Sequence, residues 1–131
     1  MAKTNGDLDF IFPMHPNPNV RKHRDILKHV TVKEPVSYDD MIGLISSSRI
    51  IITDSGGIQE EASFFKKKTI VCRKKTERFA SVGKSSVLCK SPSELRGLFL
   101  EAKNDYVIKD ECPYGDGSSS EKVVEILRCV V

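Results

Sequence analysis

What this chain lacks narrows the field first. No apolar run approaches the roughly 20 residues that a membrane-spanning helix requires. Residues 1–9 are polar where a secretory signal would carry an apolar core. The expectation is a cytoplasmic protein with no membrane partner. The four cysteines, Cys72, Cys89, Cys112 and Cys129, contain no C-x-x-C pair and have no histidine at zinc spacing. They read as reduced thiols in or near a core, and neither a metal nor a cofactor is expected. Charge of one sign is also scarce: the formal net charge is +3, far from the strongly basic balance of a nucleic-acid-binding domain. An anionic small molecule remains compatible with it. There is no internal repeat and no low-complexity segment.

What is there has the make-up of an ordinary globular protein. With 131 residues, 39% hydrophobic and 30% charged, the chain suits one domain over residues 1–131 around a single core, with residues 1–8 as a flexible polar N-terminus. Residues 9–14 (DFIFPM) read as a strand that ends in the proline-rich turn HPNPNV, residues 15–20. A weakly patterned helix follows over residues 20–28, then a strand over residues 29–32. Ser37 ahead of Tyr38, Asp39 and Asp40 marks a helix start, with acids in the positively polarised first turn. Ile50, Ile51 and Ile52 form a continuous β-branched run, the mark of a central parallel strand buried on both faces. A helix over residues 58–67, closed by Lys66, Lys67 and Lys68, leads to the buried strand TIVC, residues 69–72. Residues 87–89 make a further strand. Helices follow over residues 92–103, with Pro92 in the first turn, and over residues 121–128. Alternation of strand and helix predicts an α/β fold: a Rossmann-like three-layer arrangement with a parallel sheet.

The sharpest local pattern is IIITDSGGIQEEA, residues 50–62, where a strand runs through Ser-Gly-Gly straight into a helix. Ligands of open α/β sheets sit outside the carboxyl ends of the strands. There the first helical N–H groups lack partners and the helix dipole favours negative charge. Gly56 and Gly57 let a phosphate approach the backbone, and Ser55 adds a hydroxyl donor. The same residues also suit a tight turn that merely caps a helix. Glu60 and Glu61 read either as surface acids that complement the dipole or as acceptors for ribose hydroxyls. His15 lies at the end of the first strand, on the ligand edge. It is either a polar surface group or a donor to a phosphate or sugar oxygen. Seven cations fall within residues 66–78. Most read as solvated, whereas Arg78, in the loop after TIVC, is placed to bond a diphosphate. YGDG, residues 114–117, marks a chain reversal.

Taken in order, HPNPNV, ITDSGGIQEEAS, R-x-x-TER and PYGDG ahead of a final helix resemble the non-hydrolysing UDP-N-acetylglucosamine 2-epimerases, from about residue 10 to the C-terminus. The resemblance implies the C-terminal, second domain of a GT-B-like fold, without its first strand and without the first domain. It implies that Ser55, Gly56 and Gly57 hold the UDP diphosphate, that Glu61 binds the ribose, that Arg78 contacts a phosphate and that His15 lies near the nucleotide sugar. The family reaction interconverts UDP-GlcNAc and UDP-ManNAc, by loss of the C2 proton and departure of UDP from C1. Its acids and bases lie mainly in the first domain, so no catalytic residue is carried over. Departures occur at Lys74, Phe79, Ala80 and Cys112, where the family pattern has an acid, a proline, an acid and an asparagine. The implied ligand is UDP or UDP-GlcNAc. The chain would be inactive unless a separate chain supplies the first domain. The alternatives are a non-catalytic UDP-binding module and an interaction remnant that self-associates through an apolar face.

Overall fold

The structure, a computed structural model, describes residues 1–104 and 107–130. The chain divides into two compact units, the first ending at Ile42 and the second beginning at Gly43. Every strand pairing in either unit is parallel, so the α/β class expected from the sequence holds. No helix among the described residues is long and apolar enough to cross a membrane.

In the first unit β1 (Ile11–Pro13) pairs with β2 (Thr31–Lys33), Phe12 standing opposite Val32. The Met14 N–H donates to the Lys33 carbonyl at 2.9 Å and its side chain is buried, which anchors the end of the ladder. The helix expected over residues 20–28 is different. A short α1 (Pro18–Arg21) starts earlier, and a separate 3-10 turn spans Arg24–Ile26. The cause is local. Asn17 caps the helix by accepting from the Asn19 N–H at 2.9 Å, and Pro18 takes the first helical position. No apolar stripe prolongs it, and Ile26 is 76% exposed. Arg21 and Arg24 both bond Glu34, at 2.7 and 2.9 Å. The hydrogen bond from Arg24 and the charge of Arg21 hold that carboxyl below its usual range. Helix α2 (Tyr38–Ser47) begins as its sequence predicts. Ser37 Oγ accepts from the Asp40 N–H at 3.2 Å and donates to the Asp40 carboxylate at 2.7 Å, a reciprocal cap.

In the second unit β3 (Ile50–Thr53), β4 (Lys68–Val71) and β5 (Ser86–Leu88) form a sheet in the order β3-β4-β5. The middle strand carries the core: Thr69, Ile70 and Val71 are all buried, and helices α3 (Gly56–Phe64) and α4 (Leu95–Asn104) both pack against it. This corrects the reading of the isoleucine run. Ile51 is buried but Ile52 is 37% exposed, because β3 ends the strand order and β4 takes the middle. Cys72 also lies beyond its strand and is exposed. Pro92 precedes α4 in a separate turn, closed by the Glu94 N–H on the Ser91 carbonyl at 3.1 Å. The last helix, α5 (Ser119–Val130), contains no buried residue.

Lys66, Lys67 and Lys68 do not close α3. The helix stops at Phe64 in a double-bonded turn: the Lys67 N–H reaches the Ala62 carbonyl at 2.8 Å and the Lys66 N–H reaches the Ser63 carbonyl at 3.1 Å. The geometry places Lys66 in the left-handed region at φ 52°, where glycine is the usual occupant. A side chain there costs about 1–2 kcal/mol. Lys66→Gly is therefore expected to raise stability by about 1 kcal/mol, after the extra freedom glycine gives the unfolded chain is deducted. A rise in the urea midpoint at unchanged slope is the expected result; an unchanged or lower midpoint contradicts it.

Candidate functional site

The strand-to-helix junction after β3 is built from short-range contacts. The Cys72 N–H bonds the Thr53 carbonyl at 2.8 Å, holding the end of β3 against the end of β4. The Ser55 N–H donates to Thr53 Oγ1 at 3.0 Å, which turns the chain out of the sheet. Ser55 is the N-cap of α3, in extended backbone geometry, and its Oγ accepts from the Ile58 N–H at 3.5 Å. That bond is long, so the hydroxyl is weakly held. Gly56 and Gly57 lie inside the first helical turn rather than in a loop ahead of it. Their N–H groups belong to the set that has no acceptor within the helix.

The two glycines face different surroundings. A Cβ on Gly56 would meet Arg78 Nη1 at 2.9 Å and Glu77 Oε1 at 3.0 Å, so only glycine lets these side chains lie over the start of the helix. A Cβ on Gly57 would meet only Ser55 Oγ, at 3.9 Å. Residues four apart share one helix face, and the division continues one turn on. Glu60, in line with Gly56, accepts from Arg78 Nε at 2.7 Å. Glu61, in line with Gly57, is half-buried and has no ion pair among the described residues.

Arg78 also bonds Glu77 through Nη1, and Glu77 in turn pairs with Arg73 at 3.1 Å. The Glu60 hydrogen bond and charge, with Glu77 beside it, hold the Arg78 guanidinium above its already high ordinary value. The Glu77 carboxyl is held below its usual range by its own backbone N–H and by Arg78 and Arg73. Two carboxylates thus surround one guanidinium. The basic run is partly neutralised where it approaches the junction, because Arg73 and Arg78 are paired.

What fixes the Arg78 loop is a residue the sequence reading passed over. Gln59 is buried, and its Nε2 donates to the Arg78 carbonyl at 2.7 Å and to Ser81 Oγ at 2.9 Å, with Ser86 Oγ at 3.2 Å. Its Oε1 accepts from Thr76 Oγ1 at 2.9 Å, and Thr76 Oγ1 accepts from the Arg78 N–H at 3.1 Å. Tyr114 joins from a distant segment: its hydroxyl donates to the Arg78 carbonyl at 2.7 Å and lies 2.9 Å from Ser81 Oγ. YGDG is therefore more than a chain reversal. No buried side-chain nitrogen or oxygen among the described residues lacks a partner. The only signal for this network was the polar run around residues 73–86, which lacks the periodicity of a helix or strand.

Of the residues singled out in the sequence, Ser55, Gly56, Gly57 and Arg78 come together, and Glu61 lies one turn further along the same helix. His15 belongs to the first unit, in the turn after β1. It is exposed there, and its Nδ1 accepts from the Asn17 N–H at 3.2 Å.

A parallel α/β unit with a glycine-opened helix N-terminus at the carboxyl end of a strand is a Rossmann-like arrangement. Comparison with known proteins makes this particular. The sequence model of the UDP-N-acetylglucosamine 2-epimerases matches residues 1–128, and the chain belongs to that family. It is 39% identical to the UDP-N-acetylglucosamine 2-epimerase of Campylobacter jejuni over 97% of its own length and 36% of that protein. The crystal structure of the Neisseria meningitidis UDP-GlcNAc 2-epimerase bound to UDP-GlcNAc is 36% identical, superposes with a TM-score of 0.81 and shares 98% of this chain and 38% of its own. The Methanocaldococcus jannaschii enzyme in complex with UDP-GlcNAc and UDP is 29% identical, with a TM-score of 0.76 over 98% of this chain and 38% of its own. The chain thus spans little more than a third of the relatives it matches.

Gln59→Leu tests the network. It leaves the Arg78 carbonyl, Thr76, Ser81 and Ser86 short of a partner in or beside the core. At about 1–3 kcal/mol for each buried group left unsatisfied, with partial compensation by Tyr114, a loss of roughly 2–4 kcal/mol is expected. Chemical denaturation measures it; a loss under about 1 kcal/mol would show that the loop is held by other means.

Proposed function

We propose that this chain is the UDP-sugar-binding portion of a UDP-N-acetylglucosamine 2-epimerase, acting on UDP-GlcNAc and UDP-ManNAc, and that it needs further polypeptide to turn substrate over. The observation that carries the reading is the split of α3 into two rows. Gly57 and Glu61 form the open row, and Gly56 and Glu60 form the row covered by Arg78. A diphosphate seated on the open N-terminus would meet the N–H groups of the first turn, the Ser55 hydroxyl and the positive end of the dipole. One turn on, about 5.4 Å along the axis, the Glu61 carboxylate would accept from the ribose hydroxyls.

Arg78 completes the anion site. Glu60 holds it through Nε, while the Nη edge is shared with the exposed carboxylate of Glu77. An incoming phosphate competes with Glu77 for that edge without breaking the Glu60 bond. When UDP departs from C1 of the sugar, negative charge grows on the diphosphate. Donors already fixed around it stabilise that state at no reorganisation cost. Within the first unit, His15 in the turn after β1 would offer a ring N–H to a sugar or phosphate oxygen, its Nδ1 already accepting from the Asn17 N–H. The chemistry at C2 falls to residues outside this chain, supplied by a separate polypeptide or by further sequence. The exposure of Val123, Ile126, Leu127 and Val130, spaced along one face of α5, supports such a complement.

Calorimetric titration of the isolated chain with UDP and with UDP-GlcNAc tests the binding claim. Saturable binding is expected for the wild type. The Ser55→Ala, Glu61→Ala double variant is expected to bind at least tenfold more weakly, since charged hydrogen bonds contribute about 1.5–3 kcal/mol. No binding by a folded wild-type chain overturns the reading. No epimerisation is expected from the chain alone, and turnover by the isolated chain would refute its dependence on a partner.

A further inference from the structure

Strands β4 and β5 run parallel, with Val71 opposite Leu88. The next residues in register are Cys72 and Cys89, which leave the sheet side by side at its carboxyl edge. Backbone bonds hold both in place: the Cys72 N–H donates to the Thr53 carbonyl at 2.8 Å and the Cys89 N–H to the Val71 carbonyl at 2.8 Å. In-register residues of neighbouring parallel strands point to the same side, about 4.8 Å apart. A disulfide needs Cα atoms about 4.4–6.8 Å apart. The Cys72 thiol is pushed up by burial and by the neighbouring Cys89 thiol. Their exposure differs: Cys72 is open to solvent, whereas Cys89 is buried and donates its S–H to the Ser91 carbonyl at 3.2 Å.

We propose that Cys72 and Cys89 form a redox-active dithiol that takes low-molecular-weight disulfides and closes to an intramolecular disulfide across the carboxyl ends of β4 and β5. The Cys72 thiolate attacks one sulfur of the small disulfide, forming a mixed disulfide and releasing one small thiolate. The Cys89 thiolate then attacks Cys72 Sγ and releases the second. Two protein thiols are oxidised, one small disulfide is reduced to two thiols, and the two protons pass to solvent or to the departing thiolates. Exposure makes Cys72 the attacking residue and burial makes Cys89 the resolving one. Burial and the adjacent Cys89 push the Cys72 thiol up, so the resting pair is the dithiol and the first step is slow near neutral pH. In-register Cβ atoms are also about 4.8 Å apart, beyond the mean of about 3.8 Å in disulfides. The strand ends must draw together to close the bond, which leaves it readily reduced. Its place matters because Cys72 bonds the end of β3 two residues before Ser55 and opens the segment that leads to Arg78.

The test is prolonged treatment of the full chain with oxidised glutathione at about pH 9, which raises the thiolate fraction above that at neutrality, then alkylation, digestion and mass spectrometry. The expected result is loss of two of the four alkylatable thiols, a peptide pair joining Cys72 to Cys89, and a monomer on non-reducing electrophoresis. Dithiothreitol should restore all four. The Cys89→Ser variant should stop at a stable glutathione adduct on Cys72. A wild-type chain that keeps that adduct with Cys89 still a free thiol overturns the proposal, as does Cys72 linked to another cysteine or another chain.

Discussion

The second unit is organised around one buried amide. Gln59 carries two donors and an acceptor into the space between α3, the segment after β4 and the start of β5, and every one of them is bonded. An amide buried without partners would cost several kcal/mol, so the segment must fold around it in the one arrangement that satisfies it. Thr76, Ser81, Ser86 and Tyr114 supply that arrangement. Its product is a fixed backbone at Arg78, whose carbonyl is held by both Gln59 and Tyr114. The guanidinium reaches the helix N-terminus from an anchored origin rather than from a free loop.

Helix α3 is shaped more by these contacts than by its own preferences. It opens on two glycines, which weaken a helix, and the turn that follows it puts Lys66 in left-handed backbone. Its buried residues, Gly56, Gln59, Ala62 and Ser63, are small or polar, so hydrophobic burial contributes little along it. Polar bonds fill the gap: Gln59 as described, and Ser63 sharing a hydrogen bond with Ser85 at 2.7 Å. A helix start with glycine backbone and little apolar cover leaves N–H groups within reach of a ligand. The same features that weaken the helix make its N-terminus approachable.

Much of this was legible beforehand, and the misses have definite causes. The five strands among the described residues lie within a few residues of where the sequence places them, since β-branched runs bounded by turn residues are local signals. The start of α2 was legible because Ser37 and Asp40 bond each other within one turn. The first helix was misplaced because Asn17 and Pro18, the true cap and first residue, were read as part of a turn. The isoleucine run has the pattern of a central strand, but pattern does not tell strand order, and β4 holds that place. Glu60 and Glu61 looked equivalent as adjacent acids. They differ only because Arg78, eighteen residues from Glu60, comes to rest over one row of the helix.

The alternation of strand and helix and the Ser55-Gly56-Gly57 helix start are legible in the residues alone, because each depends on residues within a turn or two of one another, and the family is legible from the order of its motifs along the chain. Only packing settles that Gln59 and Tyr114 hold the Arg78 loop, that Glu61 and not Glu60 stays open, and that Cys72 and Cys89 follow paired residues on neighbouring strands. These depend on which strands lie side by side and which buried donors need acceptors. Those conditions are met only when segments far apart in the chain pack together and exclude water.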